Sequence, residues 1–160
     1  MNSDGTKEFI EHAVRQYSSM LLHLAASRLT SPSYAEDVVQ EVFMKLLTAA
    51  PKFHDAEHEK GWLIRTTLNA ACDYRRRASV RSAEPLLEEQ AACIIPEPST
   101  LLDAVRLLPD KYCAVIHLYY YEGYSIKEIS RFLRLPVPTV GTRLARGREK
   151  LKQLLKEEDL

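Results

Sequence analysis

Two groups of side chains in this chain have the types and spacing to grip a polyanion. Thr139, Arg143, Arg146 and Lys150 fall at i, i+4, i+7 and i+11, a single stripe of a helix. An arginine there can hold a guanine edge or a phosphate through two parallel hydrogen bonds, and a threonine can meet a phosphate or a thymine methyl. Arg65, Asn69 and Asp73 stand at i, i+4 and i+8 of an earlier segment that closes with Arg75, Arg76 and Arg77. A run of three arginines suits both a helix C-terminus and nucleic-acid phosphates. Catalytic and metal chemistry find less support. His54 and His58 are four apart near Asp55, Glu57 and Glu59, but no Cys or third His stands at ligand spacing, so a solvated loop is expected. Glu36, Asp37 and Glu41 lack the Glu-x-x-His pairing of a di-iron bundle, and there is no phosphate-binding Gly-rich loop or nucleophile elbow. No enzyme, cofactor, metal or small-molecule substrate is expected.

The first of these stripes needs a scaffold, and residues 125–150 provide one. Ser125 can accept from the backbone N–H of Glu128 while the Glu128 carboxylate reaches back to the cap, a capping box that starts a helix. Ile126, Ile129 and Leu133 share one face of it. Pro136 cannot continue that helix and disfavours helical geometry at Leu135. A second helix then starts near Val137, with Pro138 tolerated in its first turn. Its Val140, Leu144, Leu151 and Leu155 form an apolar docking stripe beside the basic one. Two short helices joined by such a turn are a helix-turn-helix, which places the second helix in the DNA major groove. A basic face alone could equally be a solvated surface; the capped helix and the Pro-marked turn before it favour DNA.

The rest of the chain also reads as helix. Phe9, Ile10, Val14, Tyr17, Leu21 and Leu24 predict one amphipathic helix over 6–29. Ser33 and Glu36 suggest a second capping box, opening a helix whose Val38, Val42 and Leu46 run beside Val39, Phe43 and Leu47 as a wide core face. Residues 51–60 read as a polar loop after Pro51, and 61–78 as a third helix with Trp62 packed inward. Residues 79–99 are acidic, contain Pro85, Pro96 and Pro98, and carry no periodicity. Further helices are expected at 100–107, 109–122, 125–133 and 137–156, with Gly123 a stop before the Ser125 cap. The β-branched and aromatic run 115–121 is the one strand-like stretch, and its place behind Pro109 favours helix. The fold class is therefore all-α: an N-terminal domain of three to four helices over 1–78, a flexible acidic linker over 79–99, and a four-helix domain with the helix-turn-helix over 100–160.

The chain has 160 residues and no net charge, which is unexpected for a DNA-binding protein until it is divided. Basic against acidic residues number 10 against 10 over 1–78, 1 against 4 over 79–99, and 11 against 8 over 100–160. Nonspecific affinity for duplex DNA comes mainly from phosphate neutralisation, so a neutral chain is expected to bind DNA with help. Cys72, Cys93 and Cys113 are odd in number and widely spaced, which fits reduced thiols in a cytoplasmic protein rather than a disulfide framework. No signal peptide or membrane-spanning run is apparent. Two readings remain on the residues alone: a subunit that binds DNA with the help of a larger partner, and a regulator that binds operators as a dimer. A protein-binding adaptor leaves the basic face unexplained.

Residues 35–46, with Glu36, Asp37, Gln40, Glu41, Phe43 and Lys45, closely resemble the core-polymerase-binding helix of bacterial extracytoplasmic-function sigma factors. Residues 60–76, with Trp62, Arg65, Asn69, Asp73, Arg75 and Arg76, resemble the helix that follows it. Leu108-Pro109 and 118–125 resemble the approach to that family's C-terminal helix-turn-helix. The resemblance covers nearly the whole chain in order, and it separates the two readings. It implies that Asp37, Gln40 and Glu41 dock on the clamp helices of the polymerase β′ subunit. It implies that Arg65, Asn69, Asp73, Arg75 and Arg76 serve reading and melting of the −10 element, with the loop 53–60 capturing a flipped base. The −35 element is then read through Thr139, Thr142, Arg143, Arg146 and Lys150, beside the β flap. The linker is expected to thread toward the active-site channel. Core RNA polymerase and promoter DNA are the implied partners, together with an anti-sigma factor of the kind common in that family. The chain departs from the family at Pro138, Gly141, Thr142 and Gly147. Gly141 removes a basic side chain, so the upstream preference is expected to be unusual.

Overall fold

The computed structural model describes residues 3–81 and 101–159, and every regular element among them is helical. The acidic segment from 82 onward, with Cys93, lies outside the described residues. Helix α1 spans Ser3–Ala26, α2 Pro32–Ala49 and α3 Ala56–Arg81. They are followed by α4 (Leu101–Arg106), α5 (Asp110–Ile116, prolonged by a π-helical turn His117–Tyr121), α6 (Ile126–Leu133) and α7 (Val137–Asp159).

Three local expectations need correction. Helix α2 begins at Pro32, whose fixed φ suits a first turn, so Ser31 takes the cap position and no Ser33–Glu36 capping box forms. Helix α3 begins at Ala56 because the Asp55 carboxylate accepts from the His58 N–H at 2.8 Å. The non-helical part of the 51–60 segment is thereby reduced to 51–55, and most of the expected base-capturing loop is helix. Finally, α3 continues three residues past Ala78, to Arg81.

The C-terminal elements follow their punctuation closely. Gly123 adopts φ +77°, a conformation an L residue rarely takes, and the Tyr124 N–H turns back to the Leu118 carbonyl at 3.0 Å. Both halves of the Ser125–Glu128 capping box are present. Helix α6 ends on Arg134 in the left-handed region at φ 56°, stabilised by Leu135 N–H to Ser130 O at 3.0 Å and by the Ser130 hydroxyl to the Leu135 carbonyl.

Two apolar cores result. In the first, Ala13, Tyr17, Leu21 and Ala25 of α1 meet Val38, Val42 and Leu46 of α2 and Leu63, Ala70 and Ala71 of α3. In the second, Val105, Leu108, Val115, Ile116 and Leu118 enclose Ile129 and Phe132 of α6 with Val140 and Leu144 of α7. Leu24 of α1 and Ile64 of α3 also belong to the second core, each fully buried. The helical modules therefore pack against each other, chiefly α6 along the first half of α3.

Candidate nucleic-acid interface

Helix α7 docks through Val140 and Leu144, and Gly147 lets it come close: a Cβ there would stand 2.9 Å from Cγ1 of Ile116. This approach sets how the basic side of α7 lies beside α5. Thr139, Thr142, Arg143 and Arg146 come together along a cleft of about 330 Å³, which Pro138, Lys111 and Tyr112 complete. Thr139 and Arg143 are half-buried in it, while Thr142 and Arg146 are exposed. Burial works to raise the Tyr112 phenol pKa, but the positive groups of Lys111 and Arg146 beside the ring together draw it below the ordinary value of 10.0. Lys150 lies over the same ring, 6.0 Å from its centre, one turn beyond the cleft. Three cations and two hydroxyls converging on one groove can hold a phosphodiester while exposed side chains reach bases. Lys111 escaped the sequence reading because it comes from a different helix; its place just after the Pro109 turn was the available signal. Gly141 has no neighbour within 4 Å of a built Cβ, so packing does not demand glycine there.

The residues on α3 are less uniform. Asn69, Asp73, Arg75 and Arg76 are exposed, whereas Arg65 is half-buried. The Arg65 guanidinium donates to the Phe132 carbonyl at 2.6 Å, and burial with Arg134 nearby depresses its pKa. Asp73 pairs with Arg76 at 3.5 Å, and Arg75 with Asp110 at 2.5 Å. Five residues expected to serve one surface are thus divided: two arginines engage the second module, and an Asp–Arg pair neutralises itself. Trp62 lies partly buried on the first core, with Phe53 edge-on at 5.9 Å.

On α2, Asp37 and Gln40 are exposed, and Glu41 is half-buried with Lys45 at 3.7 Å. Beside them runs an apolar groove of about 500 Å³ between α1 and α2, lined by Ile10, Val14, Leu22, Val39, Phe43, Met44 and Leu47. Of the second apolar row of α2, expected to be core, Val39 is buried and Phe43 partly so, but Leu47 is 44 % exposed and lines the open groove. Glu36 and Gln40 line its α2 edge, with Asp37 and Glu41 one position farther along the helix, so the polar stripe borders an apolar surface that the polar residues alone did not reveal.

The His54–His58 pair has another use. The rings stack at 5.1 Å, and His58 Nδ1 accepts from the His54 backbone N–H at 3.0 Å. No group of three metal-ligating side chains occurs among the described residues. Cys72 and Cys113 are both free thiols; burial pushes Cys72 up to about 11 and raises Cys113 as well, so both stay protonated. No described helix is long and apolar enough to cross a membrane.

Comparison with known proteins gives this geometry its context. Residues 13–81 match the family described as Sigma-70 region 2, and residues 99–151 match Sigma-70, region 4. The chain is 30 % identical to the ECF RNA polymerase sigma factor SigW of Bacillus subtilis, over 96 % of this chain and 92 % of that one. It is 28 % identical to the RNA polymerase sigma factor SigZ of the same organism, over 91 % and 86 %. Its fold is similar to that of the sigma factor RpoE from Bartonella quintana, solved in complex with the anti-sigma factor NepR. That match has a TM-score of 0.67 at 22 % identity and covers 94 % and 98 % of the two chains. The chain belongs to the extracytoplasmic-function sigma factors of the sigma-70 family. It is a subunit that directs promoter-specific transcription initiation with RNA polymerase, and its family is not a class of enzymes.

Proposed function

We propose that residues 1–78 bind core polymerase and open the −10 element, that residues 100–160 read the −35 element, and that 79–99 connect them. The observation that carries this is the presence, on one chain, of a basic cleft on the helix-turn-helix and a separate acid-rimmed apolar groove on α2. A neutral chain cannot rely on phosphate neutralisation for its grip, so the groove supplies the partner that the cleft needs. Asp37, Gln40 and Glu41 bind basic side chains of the β′ clamp helices at the rim, while Phe43, Met44 and Leu47 bury apolar area beside them. Thr142, Arg146 and Lys150 reach the −35 duplex, with Thr139, Arg143 and Lys111 on its backbone. Asn69, Arg75 and Arg76, with Arg65 once released, face the −10 strand. The chain has no catalytic task of its own and works in the cytoplasm beside polymerase and chromosome. An anti-sigma partner fits the same two surfaces.

Run-off transcription on genomic fragments tests the reading. Transcripts should appear only when the chain and core polymerase from its host are both present. The double substitution Asp37→Lys with Glu41→Lys should abolish co-purification with core polymerase while leaving helicity intact; unchanged co-purification removes the docking assignment. Tight, dimeric binding to a duplex operator without polymerase would defeat the reading as a whole.

A further inference from the structure

The three arginines near the end of α3 do not form one uniform patch. Arg75 shares Asp110 with the buried Arg28 of α1, and Arg76 pairs with Asp73 at 3.5 Å. Arg77 instead lies over the ring of Tyr74, its guanidinium 5.9 Å from the ring centre. Tyr34, in the first turn of α2, meets the same ring at 5.0 Å with the planes tilted by 40°. Tyr34 is 43 % exposed and Arg77 is exposed, while Tyr74 rests partly buried on the first core. Among the described residues no carboxylate pairs with Arg77, and no hydrogen bond engages the Tyr34 hydroxyl.

Packing does not account for this arrangement. The α2 share of the core comes from Ala35, Val38, Val39, Val42 and Leu46, to which an exposed Tyr34 adds little. A hydroxyl and a guanidinium, each held against the Tyr74 ring, form a donor pair without an acceptor. Tyrosine and arginine are common donors to nucleic-acid phosphates. The ring contacts fix both side chains beforehand, so less rotamer freedom is lost when an acceptor arrives.

We propose that Tyr34 and Arg77, seated on Tyr74, hold the sugar-phosphate backbone of the promoter duplex that borders the −10 element. The inference rests on the assignment of α3 to that element. About 33 Å of helix separates the Asp55 cap from Arg77, at about 1.5 Å per residue. That distance equals about ten nucleotide steps of about 3.4 Å. A base captured beside residues 51–55 thus lies well away from the platform, which meets flanking duplex instead. Charge selects the partner. Asp37 and Glu41, farther along α2, call for a basic protein surface, which Arg77 repels, whereas a phosphodiester is attracted. The first turn of α2 therefore faces promoter, and the turns after it face polymerase.

The test uses the full chain with core polymerase on a promoter duplex recovered by run-off transcription. Arg77→Ala should weaken promoter binding about tenfold and lower the slope of log affinity against log salt by about one. Tyr34→Phe keeps the ring contact and loses only the hydroxyl, so it should weaken binding about threefold with the salt slope unchanged. Single phosphates beside the −10 element can be replaced by neutral methylphosphonates. One such linkage should weaken the wild-type complex and leave the Arg77→Ala complex unaffected. Both variants should co-purify with core polymerase as the wild type does. Unchanged promoter affinity in either variant, or the same methylphosphonate pattern in wild type and Arg77→Ala, overturns the platform. Reduced co-purification overturns it too, because the surface then belongs to the polymerase contact. If the wild-type chain gives no polymerase-dependent promoter complex, the assignment of α3 has failed and the platform falls with it. A normal wild-type complex with unaffected variants leaves that assignment intact and removes only the platform.

Discussion

Arg65, on the helix assigned to the −10 element, donates to the backbone carbonyl of Phe132 in the last turn of the first helix-turn-helix helix, at 2.6 Å. On the proposed reading of α3, this guanidinium has to leave the joint between modules before it can meet the −10 strand. Arg65→Ala should act in opposite directions on two steps. Formation of the melted complex, followed by permanganate reactivity of unpaired thymines, should fall by about tenfold or more for loss of a charged hydrogen bond worth about 1.5–3 kcal/mol. The concentration of core polymerase needed for association should fall as well. A loss at both steps would mean that Arg65 is simply structural.

The cleft beside α7 separates two kinds of contact that a single binding constant hides. Arg146 is exposed and able to face base edges, so Arg146→Ala should cost about 1–3 kcal/mol and relax preference at one position of the upstream element. Lys111 enters from α5 and meets the same groove from its wall. Lys111→Ala should weaken all upstream sequences alike and reduce the slope of log affinity against log salt by about one. Transcription from a panel of upstream variants at several salt concentrations distinguishes them.

Most of the secondary structure was legible because its signals are local. The Ser125–Glu128 box, Gly123 and Pro136 each act within a turn of themselves, and the helices they bound appear almost where expected. The failures share a physical cause. Ser33 lost to Pro32, whose ring preset the first turn and moved the cap two residues back to Ser31, and Asp55 capped a helix inside an apparent loop. Leu47 and Phe43 have the same apolar character and spacing as core residues, and only the position of α1 decides that they line a groove. The joint was invisible for the same reason: nothing local to Arg28 announces a carboxylate 82 residues away. Arg65 and Arg75 could be placed on a helix by periodicity but not assigned to a partner.

Two glycines in α7 look alike in the sequence and should behave oppositely. Gly141 has open space where a Cβ would be, so Gly141→Ala should raise stability by about 1 kcal/mol through helix propensity alone. At Gly147 the same change drives a methyl against the buried Ile116, an overpacking that costs about 1–3 kcal/mol and cancels or exceeds that gain. Urea denaturation of the two variants checks this. Gly147→Ala as stable as Gly141→Ala would show that α7 can move off α5 freely.

His117 links the stability of the second module to pH. Its ring is 3 % exposed, stacks on Tyr121, and places Nε2 2.9 Å from Glu122 Oε2, while Nδ1 has no partner. Burial holds the imidazole pKa below the ordinary 6.5; His23 lowers it further, and the opposing pull of the Glu122 carboxylate does not compensate. The neutral ring is thus the folded form, with its Nε2 proton donated to Glu122 and an unprotonated Nδ1 buried without a partner. Because the folded pKa is depressed, the unfolded chain takes up a proton first as pH falls. The contribution is complete above about pH 6.5 and is lost progressively below it, toward the folded value. Asp110 and Glu128 are also held below their ordinary values, but their windows open only below 3.8 and 4.5. The urea midpoint should therefore drop between pH 7.5 and pH 5.5, and His117→Gln, which keeps a donor for Glu122 without a titrating ring, should flatten that drop. A midpoint that declines equally in the variant would place the titrating group elsewhere.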